Sequence, residues 1–141
     1  MTMTALRRLE VLPRAESLRL LSTVSLGRLV FTHLALPAIR PVSHAVAGEQ
    51  VIIRAYLGNA ISAAVGDRTG TVVAYEADVI DPDTHLGWSV IIVGRAARVT
   101  DPAEVARYRE LLGPWVVDGV DDIIAIQADM VDGFRLVETA A

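Results

Sequence analysis

The chain has 141 residues, 52% of them hydrophobic, and a formal net charge of −4 at pH 7. This length and hydrophobic fraction suffice for a filled core, so we expect one domain over residues 1–141. The sequence has no cysteine and no lysine, which excludes disulfides, thiolate metal sites, cysteine nucleophiles and Schiff bases on lysine. The acidic balance also argues against binding to duplex nucleic acid.

The first segment of the chain lacks the pattern of a secretion signal. Residues 1–8 show no positive region followed by an apolar run and a cleavage site, and no apolar stretch approaches the roughly 18 residues that cross a bilayer. We therefore expect a cytoplasmic protein without membrane contact. An amphipathic pattern then predicts a helix at about 14–22, opened by Pro13. Leu26–Thr32 is predicted as a strand and Ala35–Pro37 as a turn.

The next segments predict a hairpin followed by a short helix. Ala38–Val46 and Gln50–Tyr56 are rich in apolar and β-branched residues, and the link between them contains Gly48. Ala60–Val65 then has the length of a single short helix, and Asn59 is a suitable N-cap for it. A helix start therefore follows a strand directly.

A second strand pair and a clearly delimited helix come next. Thr71–Ile80 and Leu86–Val99 are predicted strands joined by the polar turn Asp81–Thr84. Asp101 is a good N-cap with a proline directly after it, and Gly113 ends the helix that follows.

The last segments, Ile123–Ala128 and Gly133–Val137, are predicted to complete the sheet. Many short strands with hairpin-length connections favour an antiparallel barrel, because closure removes exposed sheet edges. We therefore predict a mainly β protein, a β-barrel with short helices, with an open α+β sheet as the alternative.

Two acidic residues stand at alternate positions of one predicted strand. Glu76 and Asp78 share one face of that strand and could form an acid pair. A solvated face, or ion pairs with Arg95 and Arg98 on the neighbouring strand, is the favoured interpretation. No serine, histidine and acid spacing indicates a hydrolase.

The histidines do not predict a metal site. His33, His44 and His85 are dispersed, and no two of them have the spacing of helical metal ligands. They are also the only imidazoles that could serve as an axial ligand to haem. We expect no bound metal ion.

Several short motifs together resemble one known family. They are Arg28-Leu29-Val30-Phe31, Ile39-Arg40-Pro41-Val42, the strand around Arg54 with Gly58-Asn59, Gly87-Trp88-Ser89-Val90 through Gly94-Arg95-Ala96, and Gly133-Phe134-Arg135-Leu136. In order and spacing, from about residue 18 to residue 137, they resemble the split barrels similar to pyridoxamine 5'-phosphate oxidase. Among these, the chain is similar to the short actinobacterial members related to nitroimidazole-resistance reductases.

The resemblance implies a six-stranded antiparallel split barrel, spanning about residues 26–138, that forms a homodimer and binds FMN in clefts at the subunit interface. It implies that Arg40, Pro41 and Val42 lie on the strand that contacts the flavin ring. Arg54 and Ala55 would lie on the strand paired with it.

The resemblance also implies a phosphate loop at Gly58 and Asn59. Backbone amides at a helix start favour an anion, and Arg40 and Arg54 would neutralise it. Oxidase members carry a Ser-Arg-Lys run there, where this chain has Gly58-Asn59-Ala60.

Four further residues complete the predicted cofactor site. Ser89 matches a position that hydrogen-bonds near the flavin, and Trp88 would border the ring, although a core position is equally expected of a tryptophan there. A neighbouring subunit would add Trp115 or Arg135.

These expectations favour an FMN-dependent oxidoreductase acting on a small molecule, because a flavin performs electron transfer while the protein binds and orients it. An F420-dependent reductase of the same fold is one alternative. A non-catalytic flavin or haem carrier, or a dimeric module without cofactor, is the other.

Overall fold

The computed structural model describes residues 7–56, 60–66, 70–114 and 121–139. It is mainly β with short helices, as predicted. The strands are β1 (Arg7–Leu12), β2 (Leu26–His33), β3 (Leu36–Ala47), β4 (Gln50–Tyr56), β5 (Thr71–Ile80), β6 (Gly87–Arg98), β7 (Asp121–Gln127) and β8 (Met130–Glu138), and the helices are α1 (Arg14–Ser22), α2 (Ala60–Val65) and α3 (Pro102–Leu112).

Six of these strands close into an antiparallel barrel. Hydrogen bonds connect β6, β5, β2, β3, β4 and β7 in that order, and β7 pairs with β6 again to complete the ring. This confirms the predicted six-stranded barrel. β8 and then β1 extend the sheet outward from β6. The sequence analysis missed β1, whose register with β8 runs from Arg7 opposite Glu138 to Leu12 opposite Gly133.

The ring closes where β6 passes from one partner to another. Gly87–Val93 of β6 pair with β8, whereas Ala96–Arg98 pair with β7. Between these two stretches, a Cβ on Gly94 would overlap with the backbone carbonyl oxygen of Gln127. The glycine therefore permits the close backbone approach that closure requires.

The main core fills the barrel interior. Alternate residues of β2 and β5, such as Leu29, Phe31, Val73 and Tyr75, point inward and are buried. A smaller cluster lies outside the ring, where Tyr108 and Leu112 of α3 pack against Ile52 and Ile123. In the described ranges, no helix is long and apolar enough to cross a membrane.

Two predicted polar motifs form as expected, and one turn was misplaced. Asp81 accepts hydrogen bonds from the amides of Asp83 and Thr84 at 2.7 and 3.1 Å, and Asp101 caps α3 by accepting from the amide of Glu104. The predicted turn at Ala35–Pro37 was wrong, because the turn residues are Leu34 and Ala35, with φ of 52° and 63°. Proline marks the start of β3 instead, at an exposed position.

Candidate functional site

An open cleft of about 710 Å³ lies where the α1–β2 connection meets β3 and α3. Its volume falls within the range of small-molecule sites. The lining residues are Ser22 to Arg28, Pro41, His44 to Val46, Asp78 and Leu111. Pro41 is the predicted site residue that lines it.

Charged side chains stand at one end of the cleft. Arg28 of β2 and Asp78 of β5 both line it. The Arg28 guanidinium lies 2.9 Å from a carboxylate oxygen of Glu76 and 3.6 Å from one of Asp78. Glu76 and Asp78 therefore lie together on one face of β5, the interpretation that the sequence analysis offered without favouring it. The expected partners were wrong, because Arg95 pairs with Asp129 and Arg98 with Asp122.

A buried polar pair lies behind the cleft. His44 Nε2 is 2.9 Å from the carbonyl oxygen of Leu21, and its Nδ1 is 2.5 Å from the Tyr75 hydroxyl. Because a carbonyl only accepts, Nε2 carries the proton, and Nδ1 accepts from Tyr75. Burial lowers the pKa of His44 and raises the pKa of Tyr75. The pair is thus neutral and joins α1, β3 and β5.

The predicted ring-contacting residues point to two faces of β3. Pro41 pairs with Arg28 on the outer side of the sheet. Alternation places Arg40 and Val42 on the opposite side. Arg40 is exposed, and its guanidinium donates a 2.8 Å hydrogen bond to the carbonyl of Ile39. Val42 is buried in the core. Of these three side chains, only that of Pro41 faces the cleft.

Arg54 is held inside the protein by an acidic partner that the sequence analysis did not anticipate. Its side chain is 9% exposed and lies 2.7 Å from Asp121, which also pairs with Arg109 at 2.6 Å. Arg54 further donates a 2.9 Å hydrogen bond to the carbonyl of Gly113 at the end of α3. Arg54 is therefore tied to β7 and to the end of α3, and it shares the Asp121 carboxylate with Arg109. Neighbouring Ala55 points into the barrel core, where it is buried.

The remaining predicted residues that the structure describes do not meet at this cleft. Trp88 is buried in the barrel core, the alternative that the sequence left open, and Ser89 points to the outer side of β6. Arg135 of β8 lies 3.5 Å from Glu16 of α1. Gly58, Asn59 and Trp115 lie outside the described residues.

The histidines differ in their availability as ligands. Both ring nitrogens of His44 are engaged, which leaves no lone pair for a haem iron. His33 and His85 lie at separate hairpin ends. Across the described ranges, no group of three or more histidine, cysteine or acidic residues is arranged to hold a metal ion.

Arg28 is the residue that the sequence analysis missed at this site. It appeared there only as the first position of a family motif. Its role as the cleft's arginine depends on the pairing of β2 with β3 and β5, which places it between Pro41 and Glu76. Such long-range register leaves no local sequence signal.

The closed six-strand ring with its open cleft defines an antiparallel split barrel. The profile of the pyridoxamine 5'-phosphate oxidase family matches residues 13–138. The chain belongs to this family. It is 50% identical over 128 residues to Rv0080 of Mycobacterium tuberculosis, covering 89% of this chain and 84% of that protein.

Solved structures agree with this assignment. The FAD-binding protein from Mycobacterium smegmatis is 29% identical, with a TM-score of 0.76 over 93% of this chain and 100% of that one. A conserved protein of unknown function from Corynebacterium diphtheriae is 28% identical, with a TM-score of 0.74 over 92% of this chain and 98% of that one.

Proposed function

We propose that this chain is a flavin-nucleotide-dependent oxidoreductase for a small molecule, with FMN as the expected cofactor. The observation that carries the proposal is the cleft of about 710 Å³ beside Pro41, on the strand where the family resemblance implies contact with the flavin ring. The similarity to an FAD-binding protein also supports it. A bound flavin would supply one- and two-electron transfer.

The residues of the cleft fit such a ligand. Leu26, Pro41, Val46 and Leu111 offer apolar contacts, and the arginine at the charged end offers a hydrogen-bond donor for an anionic group. The hydroxyls of Ser22 and Thr23, two of the lining residues, donate to carbonyls of α1 at 2.5 and 2.6 Å, so each can only accept a hydrogen bond from a ligand. Apolar contacts combined with polar groups that can orient a ligand are typical of cofactor sites.

We further propose a homodimer with the cleft at its interface. A row of paired residues on the outer sheet face, Ile39, Val30, Ala74, Val93 and Met130, runs beside the row that holds Pro41 and Arg28. Ile39 is 55% exposed and Met130 61%. Exposed apolar surface of this kind favours a protein contact. A second copy on this row would form the missing wall of the cleft.

The cofactor is tested by titrating the purified protein with FMN, FAD, riboflavin and F420 while recording absorbance and fluorescence. Saturable FMN binding that Ser25→Trp abolishes supports the proposal, because the new ring would fill the cleft at an exposed lining position. Ala103→Trp, on the exposed start of α3, is the control. Preferential F420 binding would favour the deazaflavin reductase. Binding of none of the four would favour a dimeric module without cofactor.

The dimer is tested by sedimentation of the wild type and Ile39→Asp. We expect the substitution to yield monomers at micromolar concentration, with flavin binding weakened in parallel. Ala103→Asp, which places the same charge far from the apolar row, should stay dimeric. A wild-type monomer at all concentrations would contradict the homodimer. A cytoplasmic location and the absence of nucleic-acid partners remain predictions.

A further inference from the structure

Arg28 is the arginine of the cleft. Among the described lining residues it is the sole arginine, and neither Arg40 nor Arg54 lines this space. Its Cα is fixed in the sheet between Pro41 and Glu76, whereas its side chain is 54% exposed. The guanidinium can therefore change partner without any movement of the backbone.

The partners that hold Arg28 carry more charge than it can neutralise. Glu76 and Asp78 place two carboxyl groups on one face of β5, against one guanidinium. Burial and the neighbouring Asp78 raise the pKa of Glu76 to about 7. Near neutral pH the Glu76 carboxyl is therefore partly protonated, and a small change in local charge will alter that protonation.

No other cation faces this pair in the part of the chain that the structure describes. β6 places Ile91 opposite Glu76 and Ser89 opposite Asp78, and neither titrates in this range. Beyond Ile91, β8 contributes Asp132, which adds negative charge. From β3, His44 reaches the cleft wall with both ring nitrogens bonded. Arg28 alone sets the positive charge here.

We propose that Arg28 recognises the phosphate group of the cleft's ligand, and that its release from Glu76 and Asp78 is matched by uptake of a proton on that acid pair. The inference rests on the proposed flavin-nucleotide function and assigns a binding residue and a proton linkage to the same site. A guanidinium binds phosphate through two parallel charge-assisted hydrogen bonds. Once Arg28 turns to the ligand, the carboxyls lose the cation that favours their charged form.

The first test compares FMN with riboflavin, which lacks the phosphate. We expect wild-type protein to bind FMN at least about tenfold more tightly, since tenfold is the scale of one charge-assisted contact. Arg28→Gln should reduce that preference to about twofold. Arg19→Gln is the matched control, because Arg19 forms an exposed pair with Glu16 at 2.6 Å on α1, away from the cleft.

The second test measures the proton. Wild-type preference for FMN should be greater at pH 6.5 than at pH 8.5, and Glu76→Gln should remove the protein's share of this dependence. FMN itself gains a proton near pH 6, so the difference between wild type and Glu76→Gln isolates the protein's contribution. Equal pH dependence in both proteins would overturn the linkage.

Two outcomes separate this inference from the proposed function. If FMN binds and Arg28→Gln keeps the full preference over riboflavin, the assignment of Arg28 is overturned while the flavin function stands. If neither flavin binds, inorganic phosphate is titrated and the Arg28 side-chain Nε–H signal, assigned by its loss in Arg28→Gln, is followed by NMR. A saturable shift of that signal, absent for Arg19, supports phosphate recognition although the flavin function fails. No shift overturns it.

Discussion

Tyr75 and Glu76 are neighbours on β5, yet their side chains lie in two different environments. One is the barrel interior, and the other is the outer face of the sheet. Tyr75 points into the barrel, where its hydroxyl bonds to His44 and both groups are neutral and buried. Glu76 points outward, where it competes with Asp78 for one arginine. Polar groups in a dry interior must be paired, so the inner pair is complete and stabilises the fold. The outer group has two carboxyl groups and one guanidinium, so its charges are unequal. Its charge state therefore responds to ligands and pH.

The largest expected effect comes from Gly27→Ala, at the point where the two regions touch. A Cβ on Gly27 would overlap with the Tyr75 hydroxyl and lie 2.6 Å from the backbone carbonyl oxygen of Glu76. Both neighbours are fixed in β5, so we expect a loss of about 3 kcal/mol in the free energy of unfolding. Urea denaturation measures it. Thr32→Ala, at an exposed position of the same strand, should change it by less than about 0.5 kcal/mol. Equal values for both variants would contradict the tight contact.

Tyr75→Phe removes the hydrogen bond of the inner pair and leaves the volume of the side chain nearly unchanged. It leaves His44 Nδ1 buried without its donor, which should cost about 2 kcal/mol. Tyr108→Phe is the matched control, because Tyr108 is also buried but its hydroxyl only accepts from Arg107 at 3.1 Å. Thermal or urea unfolding of the two variants compares them. A smaller loss for Tyr75→Phe than for Tyr108→Phe would show that the inner pair does not stabilise the fold.

The sequence predicted the barrel and most of the local features of this fold, but not which distant segments pair. Turn and cap chemistry at Asp81 and Asp101 acts over three or four residues, so local reasoning located both correctly. β1 was missed although Leu9 and Val11 alternate with Arg8 and Glu10, which is a local strand pattern. Its pairing is with the other end of the chain.

The same division applies to the site. Strand alternation correctly placed Glu76 and Asp78 on one face, because period two is a local property. The identity of their partner depends on the pairing of β5 with β2 and was therefore wrong. Arg54 shows the same limit, since the acid that neutralises it lies on β7.

The smallest expected effect is that of Glu76→Gln. It distinguishes the two regions by the pH range in which each one loses stability. Glu76 has its pKa raised from its usual 4.5 to about 7, so the folded state holds a proton that the unfolded chain has released. Wild-type stability is therefore lost as pH rises from about 4.5 through about 7. His44 acts in the opposite direction. Its pKa lies below its usual 6.5, so stability is lost as pH falls below 6.5, where the unfolded chain takes up the proton first.

Glu76→Gln should therefore raise the free energy of unfolding at pH 8.5 by about 1 kcal/mol, after allowance for solvent screening of a partly exposed group and for the lost contact with Arg28. The loss on the acid side should remain, because His44 is unchanged. Urea denaturation from pH 5 to 8.5 on both proteins tests this. An alkaline loss that persists in Glu76→Gln would mean that the unbalanced acid pair does not control stability. The outer face would then make no contribution to the pH dependence of stability. Its only remaining difference from the inner pair would be the degree of burial.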